Sequence, residues 1–195
     1  MDELVRGTID ALFADAERHD AAKTDRLDRW RVLEPDAGRL LWFLTHTAGA
    51  RSIVEIGTSR GVSTLWLADA ARSTGGRVLS LDTDAAAQEH ARHSVTEAGL
   101  GEYVQFRVAD GGAALAELAD GAVDLLFLDA ERTEYPAWWP HPVRVLRTGG
   151  VLVADNALSH PAEIAPLREL IEAEPGLAST TIGVGKGELV ALRRA

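Results

Sequence analysis

Four apolar runs in this chain each end on groups able to do chemistry. VDLLFLD ends on Asp129, GGVLVADN on Asp155-Asn156, and RVLSLD on Asp82, while SIVEI runs into the loop Gly57-Thr58-Ser59-Arg60-Gly61. Two carboxylates and an amide oxygen brought together make a hard, all-oxygen partial shell. Such a shell suits magnesium, manganese or calcium over zinc or copper and leaves positions open for substrate and water. The local alternative is that Asp129 caps a loop and Asp155-Asn156 forms an Asx turn. In the glycine loop, Gly57 permits a tight turn and Gly61 permits backbone to approach a ligand closely. The spacing is G-x-x-x-G, not the G-x-G-x-x-G of dinucleotide-binding loops. Asp82 is placed either to accept from both hydroxyls of a ribose or to cap the helix that follows. Asp110 is open to two readings as well, a partner for an adenine amino group or a helix cap.

These residues need a frame that gathers strand ends. Short apolar runs at Ser52–Ile56, Arg77–Leu81, Tyr103–Val108, Val123–Leu128 and Gly150–Ala154 alternate with helical stretches at Ser63–Ala71, Ala85–Glu97, Gly112–Leu118 and Tyr135–Leu146. That alternation predicts parallel strands with right-handed crossovers. Runs apolar on both faces predict helices on both sides of the sheet. After a helix near Ala165–Ala173, the runs Ser179–Gly183 and Glu188–Arg193 flank only Val184-Gly185-Lys186-Gly187, which forces an antiparallel hairpin. The first ~30 residues read as helical, with Leu4, Ile9, Leu12, Phe13 and Ala16 near one stripe. A second helix follows Pro35 and stops at Gly49. The expected fold is α/β, a doubly wound, seven-stranded, mostly parallel sheet with a C-terminal antiparallel hairpin. It forms one domain over 1–195, with a helical segment at 1–48 and the sheet region at 52–195.

Composition narrows the function classes. The 195 residues carry 20 basic and 30 acidic side chains, a formal charge of −10, with 46% apolar residues and no cysteine. Disulfides and thiolate metal sites are excluded. Basic residues are scattered rather than clustered, which disfavours nucleic acid as a partner. No apolar run reaches the ~20 residues of a membrane span, and the first ten residues lack the basic and apolar regions of a signal peptide. A cytoplasmic location is expected.

The segments VEIGTSRGVSTLWLADA, LDTD, VDLLFLDA and GGVLVADN, in that order and with the closing hairpin, resemble the class I methyltransferases of the catechol O-methyltransferase-like group. The resemblance runs from about Pro35 to the C-terminus. It implies a Rossmann-like methyltransferase fold and S-adenosylmethionine as methyl donor. It places Glu55, Gly57, Thr58, Gly61, Ser63 and Asp82 at the donor site, with Asp82 on the ribose, Asp110 near the adenine and Asp129 at the edge. It implies that Asp129, Asp155 and Asn156 hold Mg2+ or another divalent cation, which chelates the hydroxyls of a small catechol-like acceptor and stabilises the acceptor's anion. Other readings to be tested are a hydroxylated tRNA base as acceptor and a cofactor-binding protein without catalysis. A homodimer is expected, because relatives commonly pair and the segment from Leu4 to Ala16 carries ample apolar surface.

One position departs from that group, which commonly has a lysine base three residues after the first metal aspartate. Here that residue is Arg132. A guanidinium stays protonated and cannot take the proton. Arg132 is left to stabilise an oxyanion, to clamp a carboxylate, or to sit without a role; deprotonation then rests on the metal, on solvent or on another base, for which His160 is a candidate unless it is a capping or surface residue. Trp138 and Trp139 wall an aromatic acceptor's pocket or pack in the core. Trp30 and Trp42 are assigned to core or interface.

Overall fold

The computed structural model describes residues 1–25 and 28–195. The chain begins with helix α1 (Glu3–Ala21), capped by the Asp2 carboxylate, which accepts from the Val5 N–H at 2.9 Å. Val5, Ile9 and Ala16 are its buried face. The helix stops well before residue 30. Asp20 supplies the reason: its carboxylate accepts from the backbone N–H groups of Trp30 (2.7 Å) and Arg31 (2.9 Å), binding the returning chain against the end of the helix. Helix α2 (Pro35–Thr47) then starts on proline, whose missing N–H costs nothing in a first turn.

The remaining elements alternate as β1 (Ser52–Ile56), α3 (Val62–Thr74), β2 (Arg77–Asp82), α4 (Ala85–Glu97), β3 (Val104–Val108), α5 (Gly111–Glu117), β4 (Val123–Leu128), α6 (His141–Arg144), β5 (Leu146–Ala154), α7 (Pro161–Ala173), β6 (Leu177–Ile182) and β7 (Glu188–Arg193). They form one seven-stranded sheet in the order β3-β2-β1-β4-β5-β7-β6. Strand β7 alone runs against its neighbours β5 and β6. This is the doubly wound sheet with a reversed last strand that the sequence predicts. Successive residues of a strand feed opposite faces. Ile53, Leu125, Phe127 and Val153 join a core under α1 to α4, while Val54, Leu126, Leu128 and Leu152 join a second core under α5 to α7.

The stretch expected as one helix from Tyr135 to Leu146 is instead a 3-10 segment, Arg132–Trp138, followed by the four-residue α6. Pro136, Pro140 and Pro142 explain the difference, since each removes an N–H that a continuous helix needs. Strand β5 starts four residues earlier than expected, pairing Val123 with Leu146 across a register shift. Among the described residues no helix is long and apolar enough to cross a membrane.

Candidate active site

The winding reverses between β1 and β4, whose last residues, Ile56 and Leu128, are paired. Open parallel sheets bind ligands beyond the carboxyl ends of their strands at such a reversal. A cleft of about 890 Å3 opens there. Gly57 leaves β1 at φ +105°, and a Cβ on it would lie 2.0 Å from the Asp129 carbonyl oxygen. The close approach that demands glycine is therefore strand end against strand end. Gly61 has φ +83°, and a Cβ there would meet the Ala91 side chain of α4 at 2.9 Å. Its backbone is close to a helix rather than to the cleft. Thr58 and Ser63 are also buried below the loop. The Thr58 hydroxyl is shared with Ser80 (2.7 Å) and accepts from Gln88 Nε2 (2.7 Å).

Glu55 lies deeper still, fully buried, where its Oε2 accepts from the hydroxyls of Thr64 (2.5 Å) and Ser80 (2.6 Å). Burial pushes its carboxyl up to about 7, against hydrogen bonds from Ser63, Ser80 and Thr64 and with the Asp82 charge adding to the rise. Glu55 and Ser63 thus lie beneath the loop, while Thr58 and Gly61 are the loop residues that turn into the fold. Gly57, Asp82, Asp110 and Asp129 share the wall of the cleft.

The Asp82 carboxylate holds the loop from above. Its Oδ2 accepts from the backbone N–H groups of Thr58 (2.9 Å) and Ser59 (3.0 Å), and its Oδ1 from Asp84 (2.9 Å). The cap on α4 is Asp84, not Asp82. These three bonds leave one lone pair, on Oδ1, and Asp82 lines the cleft. Asp110 does cap α5, accepting from Ala113 at 2.8 Å, while also lining the cleft.

The second group of oxygens gathers where β4, β5 and β7 end together. Asp129 and Asp155 follow paired Leu128 and Ala154, and β7 enters beside them with Glu188. Burial raises Asp129 well above the ordinary carboxylate range, with the Asp155 charge adding to the rise, and burial also raises Asp155. Neither oxygen of Glu188 has a hydrogen-bond partner, and the Asp155 carboxylate is its charged neighbour. Burial, with the Asp155 charge behind it, pushes Glu188 up to about 10.

The donor set of Asp129, Asp155 and Asn156 has the right atom types for a divalent ion but is turned inward. One Asp155 oxygen accepts from the Asn156 backbone N–H (2.5 Å) and the other from Asn156 Nδ2 (2.7 Å). The Asn156 amide oxygen accepts from the Ser159 hydroxyl at 3.1 Å. Among the described residues no group of three or more His, Asp or Glu side chains is arranged to hold a metal ion. Asn156, at φ +70°, turns its amide back onto Asp155 and Ser159; the Leu158 N–H goes to the Lys186 carbonyl, so no Asx turn forms either. As arranged, these residues do not fit a divalent ion.

Lys186 and Glu188 were not singled out in the sequence. Both lie at the tip of the hairpin, two charged residues next to apolar β7, and an antiparallel β7 beside β5 must bring them to Asp155. That was the signal. The Lys186 ammonium is 2.7 Å from Glu34 Oε1 and lines the cleft with Asp129 and Asn156. Burial opposes its charge, but Glu34, Asp155 and Asp129 outweigh that and raise its pKa.

Arg132 is buried and donates from Nε (2.8 Å) and Nη2 (2.6 Å) to Glu163 of α7. Tyr135 pins the Asp129-Ala130 corner, its hydroxyl accepting from the Ala130 N–H (2.7 Å) and donating to the Ala130 carbonyl (3.2 Å). His160 reaches the cleft with Nδ1 2.9 Å from Ser159 Oγ. Of the paired tryptophans, Trp138 lines the cleft and Trp139 packs on the second core. Trp42 packs as expected, donating to Asp69. Trp30 does more: it lines the cleft, with His19 stacked on it at 3.9 Å and Arg60 over it at 3.8 Å.

Fold and cleft together define a Rossmann-like methyltransferase. The model of the O-methyltransferase family matches residues 10–174. Cofactor-bound Rv0187 from MTB is 32% identical at a TM-score of 0.78, covering 94% of this chain and 89% of its own. The O-methyltransferase from Bacillus cereus, solved with SAH, is 27% identical at a TM-score of 0.80 over 100% and 92% of the two chains. TomG from Streptomyces achromogenes, an O-methyltransferase involved in tomaymycin synthesis and solved with SAM, is 27% identical at 0.76 over 100% and 91%. This chain belongs to the O-methyltransferase family.

Proposed function

We propose that the protein transfers the methyl group of S-adenosylmethionine to a hydroxyl oxygen of a small hydroxylated acceptor. The observation that carries this reading is the shared wall of the cleft, where Gly57, Asp82 and Asp110 stand on one side of the winding reversal and Asp129 on the other. Family relatives solved with SAM or SAH support the donor. When bound, the donor supplies a sulfonium methyl whose bond to sulfur breaks, its electron pair going to sulfur, as the acceptor oxygen bonds to carbon.

The chain's own residues supply the rest. The remaining lone pair on Asp82 Oδ1 receives a ribose hydroxyl, and Asp110 stands where an adenine amino group is met. Asp129 receives the hydroxyl proton, because burial makes its carboxylate more basic than an ordinary aspartate. Tyr135 keeps Asp129 in place through Ala130. Trp138 gives the acceptor a flat apolar wall. Holding donor and acceptor in line is the larger task, worth up to ~7–11 kcal/mol of the barrier. The acidic wall disfavours a polyanionic acceptor such as tRNA. Divalent-metal assistance finds no ready ligand set, since Asp155 and Asn156 are turned to one another.

The test is incubation of the purified protein with methyl-labelled S-adenosylmethionine and a panel of catechols and phenols. A labelled methyl ether is the expected product. Absence of S-adenosylhomocysteine binding by calorimetry would overturn the reading.

A further inference from the structure

We propose that the Lys186 ammonium is the resident cation of the acidic cluster, standing where a divalent ion would otherwise be needed, so that this site takes no divalent metal. The inference rests on the methyltransferase reading only for its location.

The geometry fixes Lys186 from both ends. Its backbone carbonyl accepts from the N–H groups of Leu158 and Ser159, both at 3.0 Å, and the Ala157 N–H donates to the Gly187 carbonyl at 2.8 Å. The tip of the hairpin is thereby fastened onto the turn that follows Asp155-Asn156. Gly187, at φ +92°, makes this possible, because a Cβ there would lie 2.4 Å from Leu158 Cγ. At the far end, Nζ is 2.7 Å from Glu34 Oε1, so the side chain reaches across the cluster from the hairpin to the start of α2. Nζ pairs directly with Glu34 and lines the same cleft wall as Asp129 and Asn156, and the Asp155 and Asp129 charges favour the ammonium from beyond ion-pair distance.

Charge and volume then argue against a second cation. A divalent ion between Asp129 and Asp155 would face the ammonium that Glu34 holds beside them, and the like charges repel. It would also have to break both hydrogen bonds from Asn156 to Asp155. An ammonium demands neither change. It offers three donors and a permanent positive charge to an oxygen bound beside Asp129.

The test uses the full-length protein, dialysed against EDTA and titrated with Mn2+ while free Mn2+ is followed by electron paramagnetic resonance. Calorimetry with S-adenosylhomocysteine runs in parallel. Wild type is expected to bind no Mn2+ below millimolar concentration. Lys186→Gln and Lys186→Ala, which leave the acids without their cation, are expected to bind it about tenfold more tightly or better. Adding Asp155→Asn to Lys186→Gln is expected to abolish the gain. The glutamine keeps the length and packing of the lysine in case alanine fails to fold. Wild-type binding as tight as either variant's would overturn the proposal, as would no gain in the folded glutamine variant. Failure of S-adenosylhomocysteine to bind counts against the functional reading instead and leaves the Mn2+ result standing.

Discussion

Arg132 spends two of its N–H groups on a single oxygen of Glu163, at 2.8 and 2.6 Å. That commitment joins the 3-10 segment after β4 to helix α7. It also answers what an arginine does where the resembling group commonly keeps a lysine base. Here the residue positions the floor of the cleft.

Replacing Arg132 with alanine is expected to lower stability by about 1–2 kcal/mol, below the full cost of breaking a buried pair because Glu163 is one-third exposed. Urea unfolding midpoints check this. Arg132→Lys should recover part of the loss. Affinity for S-adenosylhomocysteine should stay unchanged in both variants. A folded alanine variant with wild-type stability and abolished turnover would make Arg132 a catalytic residue instead.

Asp82→Ala removes the acceptor that holds the N–H groups of Thr58 and Ser59, along with the free lone pair on Oδ1. The affinity for S-adenosylhomocysteine should fall by more than tenfold, or about 1.4 kcal/mol. Calorimetry on the folded variant decides it, and an unaltered affinity would refute the ribose assignment.

Glu55 makes stability depend on pH. Its folded-state value of about 7 lies above the ordinary 4.5, so the native protein keeps a proton that the unfolded chain releases. Stability should therefore fall as pH rises from 4.5 to about 7, then level off as far as this group is concerned. Glu55→Gln, which cannot ionise, should show a flatter profile across that window. Urea midpoints at intervals through the window measure the difference, and parallel profiles would mean that Glu55 ionises freely in the fold.

Gly57→Ala places a methyl group against the Asp129 carbonyl at a backbone conformation that L-residues avoid. Strain alone should cost about 1–3 kcal/mol. Because the displaced atoms belong to the cleft wall, affinity for S-adenosylhomocysteine should fall with the melting temperature. Loss of one without the other would show that the loop and the end of β4 are not mechanically joined.

Much of the fold could be read from the sequence because doubly apolar strands such as VDLLFLD admit few environments, and because a four-residue turn leaves β6 and β7 no choice but to pair. The prolines between Arg132 and Leu146 were also visible, yet a period-based reading passed over them and joined two short pieces into one helix. Sheet order alone puts Asp82, Asp129 and Asp155 at strand ends, which is as far as the sequence carries them. What each oxygen faces was not legible. Whether Asp155 turns to an ion or to Asn156 depends on a single torsion. The placement of Lys186 next to it depends on how the hairpin tip folds over the Asn156 turn. Gly61 shows the same limit: glycine announces a close approach but not which neighbour approaches.

The wall of the cleft carries ten carboxylates against five lysine and arginine side chains among the described residues. A sulfonium donor enters such a cleft carrying one more positive charge than the thioether it becomes. The cleft thus senses whether its cofactor is fresh or spent: the surrounding field attracts the charged form and releases its hold once the charge is gone. Turnover weakens retention by neutralising what was retained, and added salt, by screening the field, narrows the preference for the unspent form.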